Sequence, residues 1–232
     1  MSLKMKVLGA AAAALLLAGA AQAAAFQNGS FELTGTGGAG IAQVDPGETT
    51  ITGWTVGGGG VHYVGSHWNG AAGSTYSLDL NISVDFDPGR ISQTFDTIEG
   101  NIYTVTFSMA GNPDGRQTGS SAIKTMTVEA TGGALETYTF DTTGHSAPSD
   151  LGWVTKQYTF TATGPSTTLT FTSLVLDTEY GPTLDNVEVT SVPPPPPPAG
   201  PTSVPTLSQL MLIALAGLLG LFGMFGRRFF GR

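Results

Sequence analysis

Between residues 26 and 190, apolar residues recur at every second position in short runs, and no stretch keeps the 3.6-residue period of a helix. Tyr103, Val105 and Phe107 alternate with threonine and serine, and the stretches 158–162 and 168–172 show the same period. Further strands are predicted near 51–56, 76–82, 90–97, 123–130, 135–141 and 183–191. Many short strands separated by Gly, Pro, Asn and Asp, without intervening helices, predict an all-β fold, an antiparallel β-sandwich or jelly roll.

This predicted domain, residues 24–192, is strongly acidic. It holds all 17 Asp and Glu residues of the chain, and only Arg90, Arg116, Lys124 and Lys156 oppose them. Such a charge repels phosphate backbones, which argues against nucleic acid as a partner, and suits divalent cations, which prefer carboxylate oxygens. The chain has no cysteine, which excludes disulfides, thiolate nucleophiles and zinc–thiolate sites.

The N-terminal segment, residues 1–23, has the layout of a secretory signal peptide. Lys4 and Lys6 precede an apolar run from Val7 to Ala21, and Ala21-Gln22-Ala23 fits the small-residue rule for cleavage. The alternative, an uncleaved anchor helix, has the wrong flanking residues and too little length. We therefore expect an exported protein whose mature chain begins near residue 24.

The C-terminal segment begins with a proline-rich linker, residues 193–203, in which Pro193–Pro198 form an unbroken run. At about 3.1 Å per residue this run is a stiff spacer of roughly 20 Å. The uncharged stretch 210–225 makes roughly 24 Å of helix, and an earlier start at Leu207 brings it close to the roughly 30 Å hydrocarbon core of a bilayer. With Arg227, Arg228 and Arg232 on the cytoplasmic side, the pattern predicts a transmembrane helix, and a plain tail anchor is one interpretation.

Residues 204–232 also resemble a known sorting signal. Val204-Pro205-Thr206-Leu207, a short Gly-rich apolar helix and a terminal Arg cluster are similar to the IPTL-CTERM signal of Gram-negative bacteria, with Val204 in place of the usual Ile. The resemblance implies an inner-membrane intermediate that an exosortase-type enzyme cuts at the motif. The protein would then reach the cell surface or extracellular matrix.

Ordered motifs across residues 28–189 resemble the DUF642, or choice-of-anchor C, family. The motifs are Asn28-Gly29-Ser30-Phe31-Glu32, Gly53-Trp54-Thr55-Val56, Ser77-Leu78-Asp79-Leu80-Asn81, Ile91-Ser92-Gln93-Thr94-Phe95, Ala110-Gly111-Asn112-Pro113 and Gly181-Pro182-Thr183-Leu184-Asp185-Asn186-Val187. The resemblance implies a galactose-binding-like jelly roll. Because plant relatives are cell-wall proteins associated with polysaccharide binding, it also implies carbohydrate contact.

Two carboxylates are candidate calcium ligands. Glu32 follows the first predicted strand and Asp185 lies in the last, and the terminal strands of a jelly roll often lie side by side. Similar carbohydrate-binding jelly rolls hold a structural Ca²⁺ at that junction, where six to eight oxygens must come from carboxylates, carbonyls and water. The alternative is that the two carboxylates accept hydrogen bonds from turn amides or remain solvated.

Aromatic side chains are the candidate sugar contacts, because a flat ring with a polar tip matches the faces of a pyranose. Tyr63 and Trp68 lie in a mixed polar and aromatic segment, 62–70, that we interpret as a loop at the rim of a site, and Tyr76 is a further candidate. His62 stands where relatives commonly carry an acidic residue, which changes that rim. Trp54 and Trp153, each after a glycine at a strand start, are assigned to the core.

Three functions remain open. The first is a surface-sorted, non-catalytic module that binds polysaccharide, and the second is a structural matrix protein without a defined ligand. The third is a glycan-processing enzyme, which would need two carboxylates across a cleft. No nucleophile elbow, phosphate-binding loop or metalloprotease motif occurs in the sequence, so we expect no enzyme and, apart from calcium, no cofactor.

Overall fold

The computed structural model describes residues 25–33, 40–82, 87–115, 119–176, 178–198, 200 and 209–229. The predicted signal peptide therefore lies outside the described residues. The chain divides into two compact units, Met1–Pro194 and Pro195–Arg232.

The first unit is a sandwich of two antiparallel sheets. Its strands are β1 Ile41–Val44, β2 Thr55–Gly58, β3 Val61–Val64, β4 Ser77–Asp79, β5 Gly89–Asp96, β6 Ile102–Gly111, β7 Ile123–Ala130, β8 Glu136–Asp141, β9 Val154–Thr161, β10 Ser166–Ser173 and β11 Pro182–Val192. The six-stranded sheet has the order β1-β3-β4-β11-β6-β9 and the five-stranded sheet the order β2-β5-β10-β7-β8. From β4 onward nearly every connection crosses between the sheets, as in a jelly roll.

The strand alternation read from the sequence builds the core. Tyr103, Val105 and Phe107 of β6 are buried, and the Phe107 ring lies 5.2 Å from that of Phe171 in the facing sheet. Trp54 is 1% exposed and packs edge-on against Phe26, which confirms its assignment to the core. The two sheets are therefore held together by the residues whose period predicted them.

Two strands at one side of the six-stranded sheet differ from the prediction. Residues 62–64, interpreted as loop, belong to β3, which pairs with β1 on one side and β4 on the other. The run is only four residues long and begins directly after four glycines, so the sequence carries little alternation to show it. β1 was not predicted either, because it too is only four residues long.

The second unit contains helix α1, Gln209–Phe229. Among the residues that the structure describes, no helix has both the length and the apolar character needed to cross a membrane. The transmembrane prediction therefore gains no support here. The predicted sorting-motif residues Val204, Pro205, Thr206 and Leu207 lie outside the described residues.

Candidate functional site

The β3–β4 loop, residues 65–76, lies over the outward face of the six-stranded sheet. Residues opposite each other in antiparallel strands share a face, and register aligns His62, Asp79, Thr183 and Ala110 across four strands. These residues alternate with core-facing neighbours such as Met109, so they point outward. Asp79, Thr183 and Ala110 are nonetheless 0% exposed, because loops cover them.

This loop lines a cavity of about 400 Å³ that is open to solvent, which we call the loop cavity. It is lined by Gly65, Ser66, Trp68, Asn69, Gly70, Ala71, Ala72, Gly73, Ser74 and Thr75. One wall is braced by the β8–β9 loop, since Trp153 Nε1 donates to Asn69 O at 3.0 Å and Asn69 N donates to Pro148 O at 2.9 Å. The volume falls within the range of about 300–1,000 Å³ typical of small-ligand sites.

Glu32 and Asp185 meet beneath the loop cavity, as the sequence predicted. The Ser74 hydroxyl lies 2.8 Å from Glu32 Oε1 and 3.2 Å from Asp185 Oδ1. Glu32 Oε1 also accepts from the backbone N–H groups of Thr75 and Tyr76 at 2.8 and 2.7 Å. Both carboxylates therefore fix the β3–β4 loop, although 42 or more residues separate each from it in sequence.

Asp185 takes further amide donors. Its Oδ2 accepts from Ala71 N at 2.8 Å and its Oδ1 from Asn186 N at 2.6 Å. Burial raises the pKa of Asp185 to about 7; the bonds from Ala71, Asn186 and Ser74 act to lower it, and the nearby Glu32 charge raises it further. Glu32 and Asp185 thus accept hydrogen bonds from loop amides, which was the alternative to a calcium site.

Calcium at this junction stays a prediction. Within the described parts of the chain, no three His, Asp or Glu side chains converge as a metal site would require. The N–H donors of Thr75 and Tyr76 on Glu32 Oε1, and of Ala71 and Asn186 on Asp185, compete with a cation for these oxygens.

A second buried carboxylate, Asp79, anchors the neighbouring loops. Its Oδ2 accepts from Asn112 Nδ2 at 2.8 Å, and its Oδ1 accepts from Gly181 N at 2.9 Å and Asn81 N at 3.1 Å. Burial raises the pKa of Asp79 to about 7, while these bonds and the Lys124 charge act to lower it. The carboxylate therefore ties the β6–β7 and β10–β11 loops to β4.

Asn81 completes this cluster. Its Nδ2 donates to the carbonyl oxygens of Val175 and Thr178 at 3.0 and 2.7 Å, while its buried Oδ1 has no hydrogen-bond partner. Gly181 lies so close that a Cβ there would stand 2.5 Å from Asp79 Oδ1 and 2.7 Å from Asn81 Oδ1. Only glycine fits at residue 181.

The predicted sugar-contacting rings are placed differently from the expectation. Tyr63 is 4% exposed and its hydroxyl donates to Phe31 O at 2.7 Å, while Trp68 is 3% exposed and its Nε1 donates to Ser77 Oγ at 2.8 Å. The exposed rim predicted for these two rings is therefore wrong. Both rings are held by buried hydrogen bonds, and Trp68 reaches the loop cavity only as part of its wall.

The other two predicted residues are half-buried. The Tyr76 ring stacks on Tyr63 with centroids 4.9 Å apart, outside the lining of the loop cavity. His62 lies beside Asp79 on the outward face; burial lowers its pKa, and the nearby Glu179 charge opposes this. Neither Tyr76 nor His62 is among the residues that line the loop cavity, so their role as ligand contacts stays a prediction.

A smaller cavity of about 190 Å³ lies at the β1 side of the sheet. It is lined by Ala42, Gln43, Val44, Glu48, Thr50, Ile51 and Tyr63. Its wall contains the Glu48 carboxylate, which accepts a hydrogen bond from Thr50 Oγ1 at 3.0 Å. The described residues that line the loop cavity include no such acidic side chain.

Comparison with known proteins decides the family. The family model described as protein of unknown function (DUF642) matches residues 24–190, and the model of the IPTL-CTERM motif matches residues 202–229. The chain belongs to the DUF642 family. Both resemblances noted in the sequence are thereby confirmed.

The DUF642 domain also matches part of a much larger protein. It is 32% identical over 145 residues to halomucin of Haloquadratum walsbyi, which covers 61% of this chain and 1% of halomucin. The chain thus spans a very small part of that relative.

Similar solved structures include carbohydrate-binding modules. TmCBM61, solved with β-1,4-galactotriose, is 19% identical, with 62% of this chain and 90% of that one covered and a TM-score of 0.43. A family 35 carbohydrate-binding module from Clostridium thermocellum is 14% identical, with 66% and 100% covered and a TM-score of 0.40.

Proposed function

We propose that the DUF642 domain is a non-catalytic module that binds polysaccharide in the loop cavity. The observation that carries the proposal is a loop of small, polar residues held rigid over the sheet by Glu32 and Asp185. The polysaccharide association of plant members of the family points to the same class of ligand.

The walls of the loop cavity suit a sugar. Ala72 supplies exposed apolar surface for the C–H groups of a pyranose, while Ser66 and Asn69 supply exposed polar groups for its hydroxyls. This mixture of apolar wall and few polar groups is typical of small-ligand sites.

The anchoring of the loop matters for affinity. A loop that must be ordered on binding costs about 0.5–1.5 kcal/mol for each side chain that becomes fixed. Here Ala71 already donates to the buried Asp185, and Thr75 and Tyr76 to the half-buried Glu32, so the backbone of the cavity is fixed before a ligand arrives. An open site with few contacts can then bind a polymer, because binding does not include the free-energy cost of ordering the loop.

The lining also supports a non-catalytic role. Glycoside hydrolysis in most families needs two carboxyl groups flanking the scissile bond. Among the described residues that line the loop cavity none has an ionisable side chain, and Glu32 and Asp185 beneath it accept hydrogen bonds from backbone amides. Nothing in this wall can act as general acid or base.

Co-sedimentation of the purified chain with cellulose, β-1,4-galactan, β-1,3-glucan and xylan tests the proposal. We expect saturable binding to at least one polymer and its loss in Asn69→Ala, which removes an exposed side chain of the loop cavity without touching the backbone bonds of Asn69. The matched control is Gln43→Ala, which removes an exposed amide from the smaller cavity. Equal weakening by both variants, or no binding to any polymer, would contradict the proposal.

The calcium prediction is tested in the same assay by adding EDTA. A structural ion between Glu32 and Asp185 predicts that EDTA lowers both the melting temperature and binding, and that Glu32→Gln removes this sensitivity. If EDTA lowers the melting temperature of a chain that binds no polymer, the calcium-stabilised matrix protein becomes the better account.

We further propose that the C-terminal segment directs surface sorting. The IPTL-CTERM match over 202–229 supports export from a Gram-negative cell and cutting by an exosortase-type enzyme near Val204–Leu207. The intact mass of the native protein should then correspond to a chain that ends at the motif. A mature species that retains Arg232 would contradict this, and Pro205→Ala should leave the chain uncut.

A further inference from the structure

The geometry points to a ligand without charge: we infer that the loop cavity selects neutral sugars and rejects uronic acids and sulfated sugars. This inference rests on the proposed function and specifies its substrate class. It follows from what the cavity wall contains, where its donors point and what charge surrounds it.

Among the residues that the structure describes, the wall of the loop cavity contains no Arg or Lys side chain. Carboxylate and sulfate ligands are normally met by Arg or Lys side chains or by clustered backbone N–H groups. Of the cations in the described chain, Arg90, Lys124 and Lys156 all lie outside the lining. Lys124 is 1% exposed and donates to Ser120 Oγ at 3.0 Å, so it is not available at the surface.

Three backbone N–H groups of the loop point to protein carboxylates and not into the cavity. Ala71 N donates to Asp185 Oδ2, and Thr75 N and Tyr76 N donate to Glu32 Oε1. These N–H groups already serve two protein carboxylates, so they are occupied. An anionic sugar cannot bind these three N–H groups unless it displaces a protein carboxylate.

The surrounding charge acts in the same direction. Glu32 accepts from the backbone of the cavity loop at Thr75, and 17 acids face four cations in the domain. Within a Debye length of about 8 Å at physiological salt, a sugar carboxylate meets net repulsion. The binding free energy of a neutral sugar is not reduced by this repulsion.

Polymer pairs that differ only in charge test the inference. The purified chain is titrated with cellulose, β-1,4-galactan and β-1,3-glucan and with the same polymers after oxidation of their primary hydroxyls to carboxylates. We expect the carboxylated partner of a bound polymer to bind at least about tenfold more weakly at low salt, a deficit that narrows in 0.5 M NaCl. Binding of the neutral polymer should not depend on salt.

A variant with one added positive charge tests whether the selectivity lies in the cavity. Ala72 is exposed in the wall, so Ala72→Lys adds a cation there and should raise affinity for the carboxylated polymer several-fold. Gln43→Lys makes the same change in net charge at the smaller cavity and should have little effect. A gain confined to Ala72→Lys supports the inference.

Each remaining outcome counts against it. Equal or tighter binding of the carboxylated polymer by the unmodified chain would overturn the inference while leaving the proposed function intact. Equal gains in the two Lys variants would assign the effect to overall charge and overturn selection by the cavity. If no polymer of either kind binds, the proposed function fails and this inference falls with it.

Discussion

The two buried carboxylates predict an unusual dependence of stability on pH. Burial raises the pKa of Asp79 and of Asp185 to about 7, from 3.8 in the unfolded chain. The folded state therefore keeps protons that the unfolded state has lost, and stability falls as pH rises from about 4 to about 7. In that window each carboxyl contributes a slope of about −1.4 kcal/mol per pH unit to the free energy of unfolding.

The full effect is on the order of 4 kcal/mol for each group between the two pKa values. His62 acts oppositely: burial lowers its pKa, so its contribution to stability is lost as pH falls below its unfolded value of 6.5. It titrates one proton against two, so the net slope between pH 5 and 7 stays negative. We expect the domain to be more stable at pH 5 than at pH 8.

Urea unfolding followed by tryptophan fluorescence measures this slope. All three tryptophans, Trp54, Trp68 and Trp153, lie in the sandwich, so helix α1 does not contribute to the signal. Asp79→Asn and Asp185→Asn each change hydrogen bonds as well as titration, so the quantity compared is the slope, which each should make less negative by about 1.4 kcal/mol per pH unit. A wild-type stability that is constant or rises between pH 5 and 8 would refute the reasoning.

Three further changes test the packing around the site. Glu32→Ala leaves Ser74, Thr75 and Tyr76 without their shared acceptor, so it should lower the free energy of unfolding by about 2 kcal/mol and speed amide exchange at Thr75 and Tyr76. The control Glu48→Ala removes an acceptor only from Thr50 and should cost under about 0.5 kcal/mol. Equal costs for the two variants would contradict the anchoring of the loop. Gly181→Ala should destabilise by more than about 2 kcal/mol in urea unfolding because its Cβ would press on Asp79 and Asn81, while Gly164→Ala, with nothing within 4 Å, should be neutral, and a tolerated alanine at 181 would show that the cluster can relax. Tyr138→Phe removes a hydroxyl that donates to Gln157 O across the edges of the two sheets and should lower the free energy of unfolding by about 1 kcal/mol; no change would mean that solvent replaces the bond.

Long alternating strands could be predicted from the sequence because their period is strong. The strand over residues 123–130 was predicted with the bounds that β7 has, and β5 differs from its prediction by one residue at each end. β1 and β3 are four residues each and take their structure from pairing with each other. Such strands depend on partners distant in sequence, which a local period does not reveal.

The site was predicted in part. The meeting of Glu32 and Asp185 follows from the juxtaposition of terminal segments in a jelly roll, and the structure brings both to Ser74. The exposure of Tyr63 and Trp68 could not be judged, because the partners that bury them, Phe31 and Ser77, lie elsewhere in the chain.

The residues that line the loop cavity were mostly missed. Asn69, Ser66 and Ala72 have no motif of their own, and small polar residues between two strands indicate only a connection. The one available signal was the density of Gly, Ala and Ser over 65–76, a loop of twelve residues between two strands that is bonded to distant carboxylates. Loops of that length without secondary structure are often functional.

The central claim concerns where a sugar binds, and amide chemical shifts locate it most directly. The isotope-labelled chain is titrated with a soluble oligosaccharide of whichever polymer co-sediments with it. The account predicts saturable shifts concentrated on residues 65–75, with the smaller cavity around Gln43 unchanged. Shifts concentrated around Gln43, or on the loops that Asp79 anchors, with 65–75 silent, would contradict it.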